Sequence, residues 1–280
     1  MTLGRLKRYR PGQTIAGDLT VLGVIAQIRG RHPIYLCWSH RRWCPLAVKI
    51  FRDEVRARRE FEVLQAVSHP NVLKVYDVLP PHAMTMEVLE GHTLEMELHK
   101  SPSGHLGIAD SLRAMVHVGA ALQHIHQTGF LHLDLKPANI MMQHGRPILI
   151  DFGTARRLDD GRPSSAMGTP DYMSPEELAG GRVTPASDVY AFAVTAFELL
   201  TGRLPFAAGR RTGVAAAKPL NLRSLRPRAP KGLETILLAA MKPDPADRPT
   251  LNLMLPAMAD LIRSGQPMWP PGFQPASALG

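Results

Sequence analysis

Residues 132–139 read HLDLKPAN and place an acid, a base and an amide within six residues. A helix would point Asp134, Lys136 and Asn139 in different directions, and Pro137 would break it. The stretch therefore predicts a loop on which three polar side chains converge. Taken alone it is also compatible with a solvated turn, because a short match of this kind is common.

Further motifs lie on both sides of this loop. Downstream, ILIDFGTA (148–155) puts Asp151 after an apolar strand and before a glycine turn. Upstream, LAVKIF (46–51) puts Lys49 on an otherwise apolar strand, and Glu60 follows eleven residues later in a predicted helix. Alone, Lys49 could extend to the surface, and Glu60 could be a solvated helix charge. The series is completed by GTPDYMSPEEL (168–178), SDVY (187–190) and DPADRPT (244–250).

This ordered series resembles that of the eukaryotic-type protein kinases, in the Ser/Thr branch that also occurs in bacteria. The motifs run in the family's order and spacing over about residues 14–264. One such motif is weak, whereas six in order would rarely arise by chance. The resemblance implies an α+β, bilobal fold of the protein kinase type, with a small antiparallel β-rich N-lobe and a larger helical C-lobe.

The pattern of predicted elements fits two such lobes. Short β-like runs separated by Gly, Pro and Asp predict strands, and apolar residues at helical spacing predict helices. The predicted strands are 19–26, 33–38, 46–51, 72–79 and 83–89, and the predicted helices are 52–68, 111–129, 186–202 and 232–241. We expect a basic extension (1–13), a kinase domain (14–264, with lobes 14–89 and 92–264) and a Pro-rich tail (265–280).

The resemblance implies a role for each polar residue of the motifs, because phosphoryl transfer depends on positioning and charge neutralisation. Asp134 would accept or orient the proton of the substrate hydroxyl, and Lys136 would neutralise the transferring phosphate. Asp151 and Asn139 would bind the metal through oxygen atoms, as a hard cation prefers. Lys49 would contact the ATP phosphates. The implied cofactors are ATP and Mg²⁺, with Mn²⁺ as a possible substitute.

Two further groups of residues follow from the resemblance. Glu60 would pair with Lys49, and six other positions would form the adenine pocket, although apolar residues there could equally be ordinary core. Met86 would stand at its back, Glu87 and Leu89 would offer backbone hydrogen bonds, and Ile34, Ala47 and Met141 would sandwich the ring. Thr169 would favour Ser/Thr over Tyr substrates, Glu176 and Arg248 would form a buried ion pair, and Asp188 would brace the catalytic loop.

The glycine-rich loop departs from the family pattern. The three glycine positions are occupied by Gln27, Arg29 and His32, although close approach of backbone to phosphates favours glycine. Arg29, Arg31 and His32 could instead contact phosphate oxygens, but we expect them to project into solvent. Restoring glycine at positions 27, 29 and 32 should then leave ATP affinity unchanged or tighter.

Three functions remain open from the sequence. We favour an active protein Ser/Thr kinase acting on Ser and Thr hydroxyls of protein substrates, since every residue that handles metal, phosphate or proton is present. The alternative is a pseudokinase-like binding module, which the missing glycines suggest. A small-molecule phosphotransferase of related fold fits less well, because GTPDYMSPE suits a peptide-binding activation segment.

Leu133 occupies a position where many family members carry arginine. Such an arginine is a buried charge that a phosphate on the activation segment joins, so phosphorylation acts as a switch. Leu133 has no charge to satisfy. We therefore expect activity that does not depend on phosphorylation of residues 151–176, although Ser164, Ser165 and Thr169 could still accept phosphate.

Composition bounds the location and partners. Among 280 residues, no apolar run has the length of a membrane span, and the two cysteines, Cys37 and Cys44, predict free thiols in a reducing cytoplasm. Residues 1–60 contain 13 Lys and Arg against 4 Asp and Glu, whereas the remaining residues contain 20 of each. This excess of positive charge could bind phosphates, nucleic acid or an acidic partner, or it could form an ordinary solvated basic face. We do not expect nucleic acid to be a partner, and the sequence leaves the oligomeric state open.

Overall fold

The computed structural model describes residues 8–26, 32–160, 168–206 and 218–263. The chain divides into two compact units. The first contains the residues up to Ser68 together with Val72–Glu90, and the second contains His69–Asn71 and the residues from Gly91 onward.

The first unit is an antiparallel sheet with one helix. Its strands are β1 (Thr14–Ile15), β2 (Leu19–Ala26), β3 (Ile34–Ser39), β4 (Cys44–Ile50), β5 (Val75–Leu79) and β6 (Ala83–Met86), in the order β1-β2-β3-β4-β6-β5. Helix α1 (Glu54–Ala66) begins where the side chain of Asp53 accepts a hydrogen bond from the Arg56 N–H at 2.9 Å. A capping carboxylate of this kind satisfies one of the free N–H groups of the first turn.

The register of the sheet positions the candidate site residues of this unit. Alternate residues of β3 are buried, including Tyr35 and Cys37, so a slip of one residue would expose them. The resulting pairing sets Lys49 opposite Ile34 and Ala47 opposite Met86.

The second unit is mainly helical. Its helices are α2 (Leu94–Lys100), α3 (Ile108–Gln127), α4 (Pro175–Leu178), α5 (Pro185–Thr201), α6 (Leu222–Leu225), α7 (Lys231–Ala240) and α8 (Leu251–Arg263). Its strands are β7 (Gly91–Thr93), β8 (Phe130–Leu131), β9 (Ile140–Gln143), β10 (Arg146–Leu149) and β11 (Arg156–Arg157). They form a sheet of order β10-β9-β7 and a separate β11–β8 pair.

Helix α5 forms the core of this unit. Every residue from Ser187 to Phe197 is buried, as expected for a helix that is apolar on all sides. Proline in its first turn and Gly202 at its C-cap, with φ 70°, define its ends. Together the β-rich unit and the helical unit confirm the predicted α+β class.

The predicted strands and helices are found in the structure, which also contains elements that were not predicted, among them the short helices α2, α4 and α6. Helix α8 was not among the predicted helices; it contains Pro256, which cannot donate a helical hydrogen bond. Its buried residues Met254, Met258 and Ile262 pack this face of the helix inward, which offsets that loss. The short strands β7, β8, β9 and β11 were also not predicted, because two to four residues are too few for a clear pattern to appear. Strand β10 corresponds to the apolar strand expected before Asp151.

Candidate active site

In the first unit, Lys49 and Glu60 form a buried ion pair. Lys49 Nζ lies 2.7 Å from Glu60 Oε1 and 2.9 Å from Oε2. Lys49 is only 9% exposed and Glu60 4%, so neither is the solvated surface charge that each could have been. Lys49 Nζ also lies 5.0 Å from the centre of the Phe51 ring, within the range of a cation–π contact.

Three of the predicted adenine positions lie on the neighbouring strands β3, β4 and β6 of the first unit. Ala47 and Met86 are buried and face each other across β4 and β6, and Ile34 is half-buried at the start of β3. The N–H of Glu87 donates to the Lys74 carbonyl at 3.0 Å. Glu87 would therefore have to offer adenine its carbonyl oxygen. The half-buried Leu89 follows, and Met141 is a half-buried residue of β9 in the second unit.

The loop 132–139 is held at its start by hydrogen bonds from its backbone to the carboxylate of Asp188. The carboxylate of Asp188 accepts hydrogen bonds from the N–H groups of His132 (2.9 Å) and Leu133 (2.8 Å), and from His126 Nε2 (2.8 Å). Asp188 has no solvent exposure. Burial would raise its pKa, but the hydrogen bonds and positive potential of His126 outweigh burial and lower the pKa of Asp188. It is therefore a buried carboxylate kept ionised by its donors.

Three side chains converge on the carboxylate of Asp134. Thr169 Oγ1 donates to Oδ1 at 2.8 Å, Lys136 Nζ donates to Oδ2 at 2.7 Å, and Asn139 Nδ2 donates to Oδ2 at 2.9 Å. Lys136 Nζ also contacts Thr169 Oγ1. The loop is thus irregular because its side chains meet at one carboxylate, rather than forming a solvated turn.

The donors of this cluster leave oxygen atoms suited to a metal. Since the Nδ2 group of Asn139 is bonded to Asp134, the atom that Asn139 would offer a cation is Oδ1. Asp151 accepts the Gly153 N–H at 3.1 Å through Oδ1. An aspartate and an amide oxygen fit Mg²⁺ bound mainly through phosphates. Among the residues that the structure describes, no group of three or more His, Cys, Asp or Glu side chains is placed to hold a metal ion.

His132 is a buried neutral side chain beside this cluster. Its Nδ1 accepts the Asp134 N–H at 3.3 Å, and its ring meets Phe152 edge to face with centroids 4.9 Å apart. Burial lowers the pKa of His132, even though the nearby Asp188 and Asp134 act to raise it. Neither His126 nor His132 was named as a site residue. His126 lies on an ordinary amphipathic helix, and His132 begins the motif HLDLKPAN, in which only Asp134, Lys136 and Asn139 were given roles.

Leu133 lies in an apolar cluster. It is 6% exposed and packs with Leu131, Val183 and the partly buried Leu158. Its φ of 60° is unusual for a bulky residue. The position therefore offers no charge to a phosphate, as predicted from the sequence.

The segment after the loop is anchored by buried carboxylates. Glu176 receives two hydrogen bonds of 2.8 Å from Arg248, whose side chain has no exposure. Burial would raise the pKa of Glu176, but the hydrogen bond from Arg248 outweighs it and the pKa is lowered. The adjacent Glu177, missed in the sequence, behaves oppositely. It accepts both the N–H and Oγ–H of Ser174 at 2.9 and 2.6 Å, and burial raises its pKa to about 7.

The glycine-loop residues divide into two groups. Gln27, Arg29 and Arg31 lie outside the described residues, so the expectation that Arg29 and Arg31 project into solvent stays untested. His32 does not project into solvent: it is half-buried, its ring centroid lies 4.8 Å from that of Phe51, and its Nδ1 is 3.1 Å from the Ile50 carbonyl oxygen. The solvent-facing expectation was wrong for this residue, because the apolar surface of Phe51 covers its ring.

No helix among the described residues combines the length and apolar character needed to cross a membrane.

Comparison with known proteins gives a consistent result. A sequence model of the protein kinase domain matches residues 33–257. The serine/threonine-protein kinase PrkC of Bacillus subtilis is 32% identical over 256 residues, covering 85% of this chain and 39% of that protein. The serine/threonine-protein kinase PknB of Mycobacterium leprae is 30% identical over 276 residues, covering 89% of this chain and 44% of that protein. The chain thus spans less than half the length of these relatives.

A solved structure supports the same fold. The kinase domain of Mycobacterium tuberculosis PknI, crystallised as a point mutant, aligns with a TM-score of 0.72 at 27% identity. The alignment covers 91% of this chain and 99% of that domain.

Proposed function

The chain belongs to the protein kinase family, and from this premise we propose that it transfers the γ-phosphoryl group of ATP to Ser and Thr hydroxyls of protein substrates. The observation that carries the proposal is the convergence of Thr169, Lys136 and Asn139 on the carboxylate of Asp134. This arrangement presents one oriented base next to one cation, which a hydroxyl acceptor needs.

Each side chain has its own part in the proposed reaction. Asp134 accepts or orients the proton of the acceptor hydroxyl, and the Lys136 ammonium neutralises charge on the transferring group. Thr169 is hydrogen-bonded to the Lys136 ammonium and to the Asp134 carboxylate, and it holds these two groups in one orientation. Asp188 fixes the backbone of His132 and Leu133 from below.

The proposed cofactors are ATP and Mg²⁺, with Mn²⁺ as a substitute. Asn139 Oδ1 and the Asp151 carboxylate would hold the metal, which when bound neutralises the phosphate oxygens. In the first unit, Lys49 would contact the phosphates, with Glu60 holding it by the ion pair. The adenine ring would be held by Met86, the Glu87 carbonyl, Leu89, Ile34, Ala47 and Met141.

We propose residues 14–264 as the kinase domain, with protein substrates and a cytoplasmic location. The binding-only alternative rests on the missing glycines alone. The presence of Lys49, Asp134, Asn139 and Asp151 supports transfer over binding only, because a binding module has no need of an oriented base.

The proposal is tested by transfer of ³²P from γ-labelled ATP to a generic basic protein, followed by phosphoamino-acid analysis. We expect phosphoserine and phosphothreonine without phosphotyrosine, and loss of transfer on Asp151→Ala. Asp159→Ala is the matched control, since the side chain of Asp159 is 80% exposed. Equal labelling by wild type and Asp151→Ala, or label appearing only on a small metabolite, would exclude the proposed function.

A further inference from the structure

The β3–β4 hydrogen-bond ladder has an unusual pair at the end of the sheet that lies beside Lys49. In antiparallel strands, alternate opposed residues exchange two hydrogen bonds. Pro33 and Ile50 form such a pair, and the Ile50 N–H donates to the Pro33 carbonyl at 3.0 Å. The reciprocal bond cannot form, because proline has no N–H. The carbonyl of Ile50, a residue only 6% exposed, therefore needs another donor.

The side chain of His32 supplies that donor. Its Nδ1 lies 3.1 Å from the Ile50 carbonyl oxygen. A carbonyl oxygen only accepts, so Nδ1 must carry the hydrogen, and in the neutral ring Nε2 is then unprotonated. Burial, followed by the positive charge of Lys49, lowers the pKa of His32 and keeps the ring neutral at pH 7.

The same side chain also supports the surroundings of the Lys49 ammonium. The His32 ring packs on Phe51 with centroids 4.8 Å apart, and Lys49 Nζ lies 5.0 Å from the same Phe51 ring. His32 thus touches both residues that follow Lys49, one through a hydrogen bond and the other through ring packing.

We propose that His32 is a positioning residue for Lys49. The imidazole N–H of His32 replaces the backbone donor that Pro33 lacks. The inference rests on the proposed function of Lys49 as a phosphate contact. It reverses the expectation that glycine at this position would be neutral or favourable: in this chain, His32 and Pro33 form a compensating pair, and removing one alone opens the end of the ladder beside Lys49.

The test is a double-mutant cycle on the full chain with His32→Gly, Pro33→Val and the double variant. Valine at position 33 restores a backbone N–H to the ladder. Three quantities are measured: hydrogen exchange of the Ile50 amide, the ATP dissociation constant by calorimetry, and kcat and KM for ATP and for a protein acceptor.

We expect His32→Gly to speed exchange of the Ile50 amide and to lower kcat/KM for ATP about fivefold to tenfold, with the acceptor KM unchanged. A tenfold loss corresponds to about 1.4 kcal/mol. Adding Pro33→Val should restore both quantities to within about twofold of wild type, and Pro33→Val alone should change little. Among single variants, His32→Asn, which retains a donor of similar placement, should keep the exchange rate closer to wild type than His32→Phe.

Two results would overturn the proposal: no effect of His32→Gly on Ile50 exchange, or a loss that Pro33→Val does not restore. The assay separates this failure from that of the proposed function. If the wild type transfers no phosphate, the kinase assignment fails, while amide exchange and ATP calorimetry still decide whether His32 and Pro33 compensate each other and whether ATP binding depends on them.

Discussion

The carboxylate of Asp134 is oriented by more donors than a free base would need. Thr169 occupies Oδ1, while Lys136 and Asn139 occupy Oδ2. Each hydrogen bond to a charged group restricts the carboxylate rotamer and is worth about 1.5–3 kcal/mol when buried. Loss of one donor should therefore reduce the fraction of chains with a competent base without removing the base itself.

Substitution of Thr169 tests this orientation directly. We expect Thr169→Val to lower kcat about tenfold or more while leaving ATP affinity unchanged, because the lost hydroxyl contacts Asp134 and Lys136. Thr169→Ser keeps the hydroxyl and should retain most of the rate. Steady-state kinetics with ATP calorimetry provides the measurement, and equal rates for the valine and serine variants would contradict the assigned role.

Replacement of Lys49 tests the role of the first unit. We expect Lys49→Met to lower phosphoryl transfer at least a hundredfold, since it removes the cation proposed to contact the phosphates. Because Lys49→Met removes the buried ion pair with Glu60, circular dichroism must confirm that the variant is folded. Lys74→Met is the control, as Lys74 is an exposed lysine of the same unit. Near-normal turnover by folded Lys49→Met would refute the assignment.

At the scale of the elements, the surroundings of Leu133 bear on whether phosphorylation of the segment 151–176 controls activity. Leu133 packs against Leu131, Val183 and Leu158, so apolar contacts take the place of a charge that a phosphate would neutralise. Of the proposed acceptor residues, Ser164 and Ser165 lie outside the described residues, and Thr169 has its hydroxyl bonded to Asp134.

We therefore expect activity to be independent of phosphorylation in residues 151–176. The chain is fully dephosphorylated, the intact mass is checked, and the initial rate is compared with that of the untreated protein. The two rates should agree within about twofold, as should that of a Ser164→Ala/Ser165→Ala variant. A decrease of more than about tenfold, worth about 1.4 kcal/mol in the barrier, would show that phosphorylation does control the enzyme.

Glu177, in the first turn of α4, should make the free energy of unfolding depend on pH. Glu177 is 6% exposed, and burial raises its pKa from 4.5 to about 7; the nearby Asp188 and Glu176 add to the increase. Between pH 4.5 and about pH 7, Glu177 therefore keeps its proton in the folded chain and loses it in the unfolded chain. The stabilisation is complete below the unfolded pKa and is lost as the pH rises towards about 7.

Glu177→Gln should remove this dependence. The free energy of unfolding is measured by urea denaturation at pH 5 and pH 8 for both proteins. We expect the difference, Glu177→Gln minus wild type, to be larger at pH 8 than at pH 5 by about 1–3 kcal/mol. Glu62→Gln, at an exposed position of α1, is the control. A difference between Glu177→Gln and wild type that stays constant with pH would contradict the buried-acid interpretation.

For the chain as one protein, the motifs predicted the α+β class and named the polar residues proposed for the site, because each motif combines a chemical need with a fixed spacing. The strands that carry Lys49 and Met86 were predicted from short apolar runs between turn residues, and both strands are buried along most of their length. The sequence predicted the Lys49–Glu60 and Glu176–Arg248 pairs, but it did not reveal His126 as a donor to Asp188 or His32 as the donor in place of Pro33. Such contacts join residues far apart or depend on side-chain direction, and no periodic pattern records them.

The central claim is that Asp134 serves the acceptor hydroxyl, and one measurement tests it most directly. Mg²⁺-dependent transfer from ATP to a generic basic protein is compared for wild type and Asp134→Asn, with ATP affinity measured on the same samples. We predict that Asp134→Asn lowers transfer by at least a hundredfold while binding ATP within about threefold of wild type. Transfer by Asp134→Asn at a rate close to that of wild type would contradict the account.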